Sequence, residues 1–242
     1  MPKISALVAA AGRGTRAGLP YPKTLFSIQG SPILVRIARL LQSYDQKPTV
    51  IVSPEGMNPV ARCLQEHHLM ADLVTQSQPR GMGDAVLRFK DSPVFAEAEH
   101  VLLIWGDIPF VQPETVKAMV SAHLEHQNDF TLATRSVEKA YTVVSRDPQG
   151  AVTGVQETRE LGLASPPCGE RDIGLFIFRK QPVFDALEEE LPGKFGKTTG
   201  EHGFLYVIGH LVKKGYRVEA LPVATEMDLV SLNSMADIHE YL

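Results

Sequence analysis

The chain has 242 residues, 44% of them hydrophobic, with 24 lysines and arginines against 28 aspartates and glutamates for a formal net charge of −4. That length and apolar content suffice for one large α/β domain or two small ones with a buried core. The mild acidity, without a basic cluster, argues against a nucleic-acid binder, whose phosphate contacts need a concentrated Lys/Arg face.

In chain order the first expected element is an apolar strand, Ile4 to Ala10, running into a glycine loop with Gly12 and Gly14 and on to Arg16 and Lys23. Its small-residue ending mimics a signal peptide, but a single lysine precedes it and the apolar run is barely long enough. No stretch approaches the roughly 20 apolar residues that span a bilayer, so no membrane association and a cytoplasmic location are expected. Cys63 and Cys168 lie far apart without a C-x-x-C pattern, which argues against a disulfide framework or zinc site and for a reducing compartment; both read as buried or incidental thiols.

Glycines in such a loop let main-chain N–H groups converge on an anion. Arg16 adds a planar fork suited to phosphate oxygens and Lys23 a mobile point charge, while Ala9, Ala10 and Ala11 are small enough for a flat base or ribose to lie against their backbone. This is the pattern of a phosphorylated-nucleotide site. It is not the dinucleotide fingerprint, because Gly18 comes one residue late and Pro20 and Pro22 prevent an immediate long helix. Nor is Gly196-Lys197-Thr198 a P-loop, since Leu191 occupies the required upstream glycine position.

Ser31-Pro32 then predicts an N-cap and first-turn proline for a helix over Ile33 to Tyr44, followed by a strand from Thr49 to Ser53. A helix over Val60 to His67, a strand over Asp72 to Thr75, a helix over Gly83 to Phe89 and a strand over His100 to Trp105 continue the alternation of βαβ units. After about residue 135 the rhythm changes. Strands at Thr142 to Ser145 and Ile173 to Phe178, separated by Asp147-Pro148-Gln149-Gly150 and Pro166-Pro167, suggest a smaller, more antiparallel lobe. Helices over Val183 to Glu190 and Phe204 to Lys214, a strand over Arg217 to Leu221 and a helix near Ser234 to Tyr241 complete the pattern. The pairs His67-His68 and His123/His126 lack the H-E-x-x-H form, read as surface helix residues, and imply no histidine metal site.

Two further places carry chemistry. The apolar run Val101 to Ile104 ends abruptly in Gly106-Asp107, where a carboxylate at the end of a central strand is placed to hold Mg²⁺ or, in the blander reading, to cap a turn. In TQSQPRGMGDAV, Gln76 offers both donor and acceptor, as reading a pyrimidine edge demands, and Gly81 and Gly83 precede a helix whose first N–H groups face either a ligand or an ordinary strand-to-helix loop.

The ordered combination of AAAGRGTR with Lys23, Gln76 with Gly81-Met82-Gly83, Trp105-Gly106-Asp107 and Leu232-Asn233-Ser234 resembles the sugar-nucleotide pyrophosphorylases over nearly the whole chain, and among them the N-acetylglucosamine-1-phosphate uridyltransferase domains. The resemblance implies a Rossmann-like nucleotidyltransferase fold: a three-layer α/β/α domain with a mostly parallel mixed sheet and a smaller sugar-binding lobe. It implies a single domain over residues 1–242, with residues 1–134 for the nucleotide and 135–242 for the sugar lobe and closing elements. By motif, Ala9 to Gly12, with Gly14, would face the nucleoside and Arg16 and Lys23 its phosphates; Gln76, Gly81 and Met82 the base, beside Trp105 and Gly106; and Asp107 with Asn233 would bind Mg²⁺. Glu157 matches a sugar-binding glutamate, whereas Thr142 stands where these relatives have glycine and Asp172 where they have asparagine.

The expected substrates are a nucleoside triphosphate, read as UTP, and a sugar-1-phosphate of the N-acetylglucosamine-1-phosphate kind, with nucleotide sugar and pyrophosphate as products. A cytidylyltransferase using another phosphorylated acceptor and a non-catalytic nucleotide-sugar-binding module remain as alternatives. The sequence holds no hexapeptide repeats, so acetyl transfer is not expected of it.

Overall fold

Ile4–Ala9 forms β1, in which every residue but the first is buried. The computed structural model describes residues 2–12, 14, 17–162 and 165–241, and these fall into two compact units: residues 1–79, 85–113 and 226–242 in one, residues 80–84 and 114–225 in the other.

In the first unit, β1 is followed by a small antiparallel hairpin of β2 (Ser27–Ile28) and β3 (Ser31–Pro32). Then come α1 (Ile33–Leu41), β4 (Thr49–Val52), α2 (Met57–Glu66), β5 (Asp72–Thr75), α3 (Met82–Leu87, its first residues counted with the second unit) and β6 (His100–Trp105). β1 lies between β6 and β4, and β4 pairs with β5, every pairing parallel. The sequence explains this directly: β4 is buried at every position and β6 at its first five, as strands covered on both faces must be. α1 buries Ile33, Leu34, Ile37, Ala38 and Leu41 on one stripe.

Two expectations change here. Ser31 is not an N-cap: it pairs with Ile28 in the hairpin, Pro32 takes the cap position in an extended conformation, and no side chain caps α1. The helix also ends at Leu41 instead of Tyr44, because the Tyr44 N–H turns back to the Leu41 carbonyl at 2.8 Å in a tighter turn.

The second unit contains α4 (Pro113–Glu125), β7 (Phe130–Val137), the antiparallel hairpin of β8 (Thr142–Arg146) with β9 (Val152–Glu157), β10 (Gly169–Arg179), α5 (Lys180–Glu188), α6 (Tyr206–Lys213) and β11 (Val218–Leu221). β7 pairs antiparallel with β10 and parallel with β11. This is the more antiparallel character expected after residue 135; the sheet pairings of the first unit's β1, β4, β5 and β6 are all parallel and those of the second are mixed, in keeping with the expected α/β class.

α4, β7 and β9 are absent from the sequence-based expectations: in α4 and β7 polar residues sit at buried positions, and in β9 the buried residues Val152 and Val155 fall three apart instead of alternating. His123 on α4 is fully buried, with its Nδ1 2.9 Å from Thr131 Oγ1 on β7, and Asn128 Nδ2 donates to the same hydroxyl at 3.1 Å. His123 is therefore a satisfied core histidine and not a surface helix residue. Of the cysteines, Cys63 is buried and Cys168 exposed, both free.

Four phenylalanines fix the second unit's core. Phe130 stacks on Phe178 with centroids 5.5 Å apart, and Phe204, just before α6, packs edge-on against Phe176 at 5.4 Å. Such pairs add to plain area burial. Phe204→Ala should therefore lower stability by about 3–5 kcal/mol, read as a drop in the urea midpoint.

Candidate functional site

In the first unit the strand ends generate the site. β1 and β6 run side by side in register with Ala9 opposite Trp105, and the Gly106 N–H donates to the Ala9 carbonyl at 2.9 Å. A Cβ at position 106 would lie 2.8 Å from that carbonyl oxygen and 2.9 Å from Ala10 Cα, so only glycine lets the two strand ends come this close. On the other side the Ala10 N–H donates to Ile51 at 2.9 Å. The loop that follows thus starts between two neighbouring strands, at the carboxyl end of a parallel sheet, where ligands of open α/β folds bind.

The loop then folds back. Gly14 has φ +77°, and the N–H groups of Ala17 and Leu19 both donate to its carbonyl, at 3.0 and 3.1 Å. The Lys23 N–H returns to the Gly12 carbonyl at 3.3 Å, and the Lys23 side chain passes Gly12, where a Cβ would be 3.7 Å from its Cε. Its ammonium reaches Asp107: Nζ lies 2.5 Å from Oδ2, with the two side chains 13% and 21% exposed. Residues 84 apart in sequence are brought to one point by β1 and β6.

Asn233 belongs to the same place. The Leu232 N–H donates to the Asp107 carbonyl at 2.9 Å, and the turn after it is held by Asp237, whose Oδ2 accepts from the N–H groups of Asn233 (3.0 Å) and Ser234 (2.6 Å). Asn233 Nδ2 donates to Ser231 Oγ at 2.8 Å, which orients its amide. Gln76, buried at the end of β5, donates its N–H to the Val52 carbonyl at 2.8 Å. Arg16 lies outside the described residues, as do Arg13 and Thr15 of the same loop.

The remaining expected residues are in the second unit. Gly81 has φ +110° and Gly83 donates its N–H to the His202 carbonyl at 2.9 Å, while the His202 N–H donates to Arg80 at 2.7 Å. A Cβ on Gly83 would sit 2.0 Å from the Gly203 carbonyl. The second of these glycines is thus required for packing, and its N–H is spent within the unit instead of facing a ligand. Met82 lies between them as the first residue of α3.

Thr142 and Glu157 are cross-strand partners in the β8–β9 hairpin, and Thr142 Oγ1 donates to Asp172 Oδ1 on β10 at 2.6 Å. Thr142 therefore adjoins both of the other residues expected on the sugar side. Arg159, which no sequence pattern singled out, joins them by donating from Nε to Glu157 Oε2 at 2.7 Å. The loop of Gly196-Lys197-Thr198 turns inward to Glu160, whose carboxylate accepts from the Thr198 N–H at 2.8 Å and from Thr199 Oγ1 at 3.2 Å. That bond to the Thr198 N–H is the largest influence lowering the Glu160 pKa.

A family model described as a MobA-like NTP transferase domain matches residues 6–195. The chain belongs to this family. It is similar to the bifunctional protein GlmU of Alkalilimnicola ehrlichii, at 30% identity over 97% of this chain and 49% of that protein, and to GlmU of Pelotomaculum thermopropionicum, at 27% identity over 99% and 52%. The chain thus spans about half the length of these curated relatives. Among solved structures, a UDP-glucose pyrophosphorylase complexed with UDP-glucose superposes with a TM-score of 0.73 over 100% of this chain and 99% of that one, at 18% identity. A structure named as a glucose-1-phosphate thymidylyltransferase from Bacillus anthracis, in complex with sucrose, gives 0.73 over 90% and 85%, at 17% identity.

These likenesses establish the MobA-like NTP transferase fold, in agreement with the α/β expectation. Among the described residues, no helix is long and apolar enough to cross a membrane.

Within this family member, His202 has a measurable signature. Burial lowers its pKa, the Lys194 ammonium pushes in the same direction, and the Asp84 and Glu190 carboxylates oppose without cancelling. Its Nε2 is 3.3 Å from Tyr206 Oη, which in turn donates to the Ala186 carbonyl at 3.1 Å. The neutral ring is the folded form, and the unfolded chain takes up the extra proton. The resulting stability is full above the ordinary histidine value of about 6.5 and is lost as pH falls from there toward the depressed folded value. Urea midpoints should fall between pH 7.5 and 5.5, with a shallower slope in His202→Asn.

Proposed function

We propose that the chain transfers the nucleotidyl group of a nucleoside triphosphate, UTP in preference to the others, to a sugar-1-phosphate, releasing pyrophosphate. The observation that carries this reading is the meeting of Lys23 with Asp107 at 2.5 Å beside the glycine loop: a cation and a carboxylate at the carboxyl ends of two adjacent parallel strands. Family membership supports the reaction type. The double hydrogen-bonding capacity of Gln76 supports a pyrimidine base; Gly81 and Met82 are assigned to the base in the same reading, and Ala9 to Gly12, Gly14, Trp105 and Gly106 to the nucleoside.

The reaction balances without a covalent enzyme intermediate. An oxygen of the sugar phosphate forms a bond to the α-phosphorus, the bond from that phosphorus to the bridging oxygen breaks, and pyrophosphate leaves with the electron pair. No general base is needed, because the phosphate nucleophile is ionised at neutral pH. The obstacle is repulsion between polyanions: one pair of unit charges at about 4 Å costs on the order of 4 kcal/mol at an effective dielectric near 20, and several pairs are involved.

Lys23 is assigned to the α-phosphate. Its flexible stem lets the ammonium exchange the Asp107 carboxylate for a phosphate oxygen of the same charge, and Arg16 is assigned to the remaining phosphate oxygens. The donor set suits a divalent ion: the Asp107 carboxylate is paired with the Lys23 ammonium, which an ion would displace, and the Leu232 N–H bond to the Asp107 carbonyl brings the backbone before Asn233 to the same corner. Among the described residues no group of three His, Cys, Asp or Glu is present to enclose a metal. One carboxylate and one amide suit Mg²⁺, which takes few protein ligands and completes its shell with water and substrate phosphates. A bound ion would neutralise phosphate charge; Asp107 and Asn233 would hold it, and Lys23 would orient the reacting phosphate.

Pyrophosphate release, screened over four nucleoside triphosphates and a panel of sugar-1-phosphates, should require Mg²⁺ and be fastest with UTP. Lys23→Ala should lower kcat/KM by about 10²–10³-fold, with Lys23→Arg failing to restore it because a planar fork does not replace a point charge. Full activity in Asp107→Ala would remove the metal assignment.

A further inference from the structure

The two acceptor-side positions that depart from the pattern of the resembled family, Thr142 and Asp172, are bonded to one another. Asp172 is 4% exposed and both of its carboxylate oxygens are engaged: Oδ1 accepts from Thr142 Oγ1 at 2.6 Å and Oδ2 from the Gly174 N–H at 2.9 Å. The second bond comes from an irregularity in β10 between Asp172 and Phe176, where Gly174 takes φ +80°. Across the hairpin from Thr142 stands Glu157, half-buried, with Arg159 on its Oε2.

An ionised carboxylate only accepts, so the single hydroxyl proton of Thr142 is committed to Asp172. What Thr142 then offers a ligand is its oxygen lone pairs alone, and Glu157, its cross-strand neighbour, likewise offers lone pairs. An asparagine at position 172 would bring two donor hydrogens, and a glycine at position 142 would leave vacant the space that the threonine Cβ, Oγ and methyl fill. Both departures act in one direction. They remove donors that a carbonyl oxygen needs, and they remove room that a branched amide substituent needs.

We infer that the Thr142–Asp172 pair makes this chain select a sugar-1-phosphate whose ring substituent beside the pair is a hydroxyl or a free amine and reject the N-acetylated counterpart. The inference rests on the proposed transferase reading and narrows its acceptor. A hydroxyl or ammonium supplies the hydrogens that Thr142 Oγ1 and Glu157 accept, and Arg159 stays engaged on Glu157 Oε2; an acetamido group brings one N–H as well, but its carbonyl finds no donor on Asp172 or Thr142 and its methyl meets the space that the threonine side chain fills.

The test compares glucose-1-phosphate, glucosamine-1-phosphate and N-acetylglucosamine-1-phosphate, by pyrophosphate release and by calorimetric binding to the full chain loaded with UTP and Mg²⁺. The native protein should favour the first two over the third by about 10–100-fold, chiefly in KM. Thr142→Gly combined with Asp172→Asn should reverse the ratio, and the isosteric Thr142→Val alone should weaken the hydroxyl and amine sugars about tenfold without admitting the N-acetyl one. UTP binding reports on folding in each variant. A native preference for the N-acetyl sugar, or ratios unmoved in both folded variants, overturns the inference while leaving the transferase reading intact. Selective binding without pyrophosphate release from any pair of substrates does the opposite.

Discussion

The contact between the Lys23 ammonium and the Asp107 carboxylate is the constraint on which the candidate site depends. It exists because β1 and β6 are adjacent, parallel and in register to their last residues, and because Gly106 removes the one side chain that would hold their ends apart. A partly buried ion pair is weak evidence for stability, since desolvation offsets most of the Coulomb attraction. Its meaning here is positional. In the proposed function, this charge pair at the mouth of a parallel sheet would keep a cation and an anion available for exchange with an incoming polyanion; the hydrogen bond from Leu232 to Asp107 brings the backbone before Asn233 to the same corner.

The second unit shows the complementary strategy, with polar groups already satisfied by one another. Asp172 is saturated by Thr142 and Gly174, Glu157 is steadied by Arg159, and Glu160 gathers the donors of the Thr198 loop. In the proposed reading, side chains locked in this way would present a fixed pattern of hydrogen-bonding groups to a ligand, which favours discrimination over mere attraction. The phenylalanine core around Phe130 and Phe204 anchors β7 and β10, the strands that carry this arrangement.

Much of the fold was legible where burial and polarity agree. β5 and β6 fall on their expected residues, and β1 and β4 end one residue early; in β1, β4 and β6 the largely apolar runs leave little choice of register or face. Legibility failed where buried positions are polar: His123 and Thr131 satisfy each other across α4 and β7, so neither element shows a clean period. In the candidate site, the loop glycines, Lys23 and Asp107 stood out as residue types, but their pairing is a property of strand order and not of spacing. The Thr142–Asp172 bond and the place of Arg159 were invisible for the same reason, being created by a hairpin that returns β8 to β10. Ser31-Pro32 failed differently, since a local capping signal gave way to a hairpin pairing.

The hydrogen bond from Leu232 to Asp107 also has a temporal side. A growing polypeptide meets Asp107 long before residue 232 is made, and at about 5–20 residues per second the interval is on the order of ten seconds. Neither unit is a single continuous stretch, as the first is finished only by residues 226–242. On the ribosome, then, the corner at Asp107 stays unfinished until residues 226–242 emerge, after every residue of the second unit has been made.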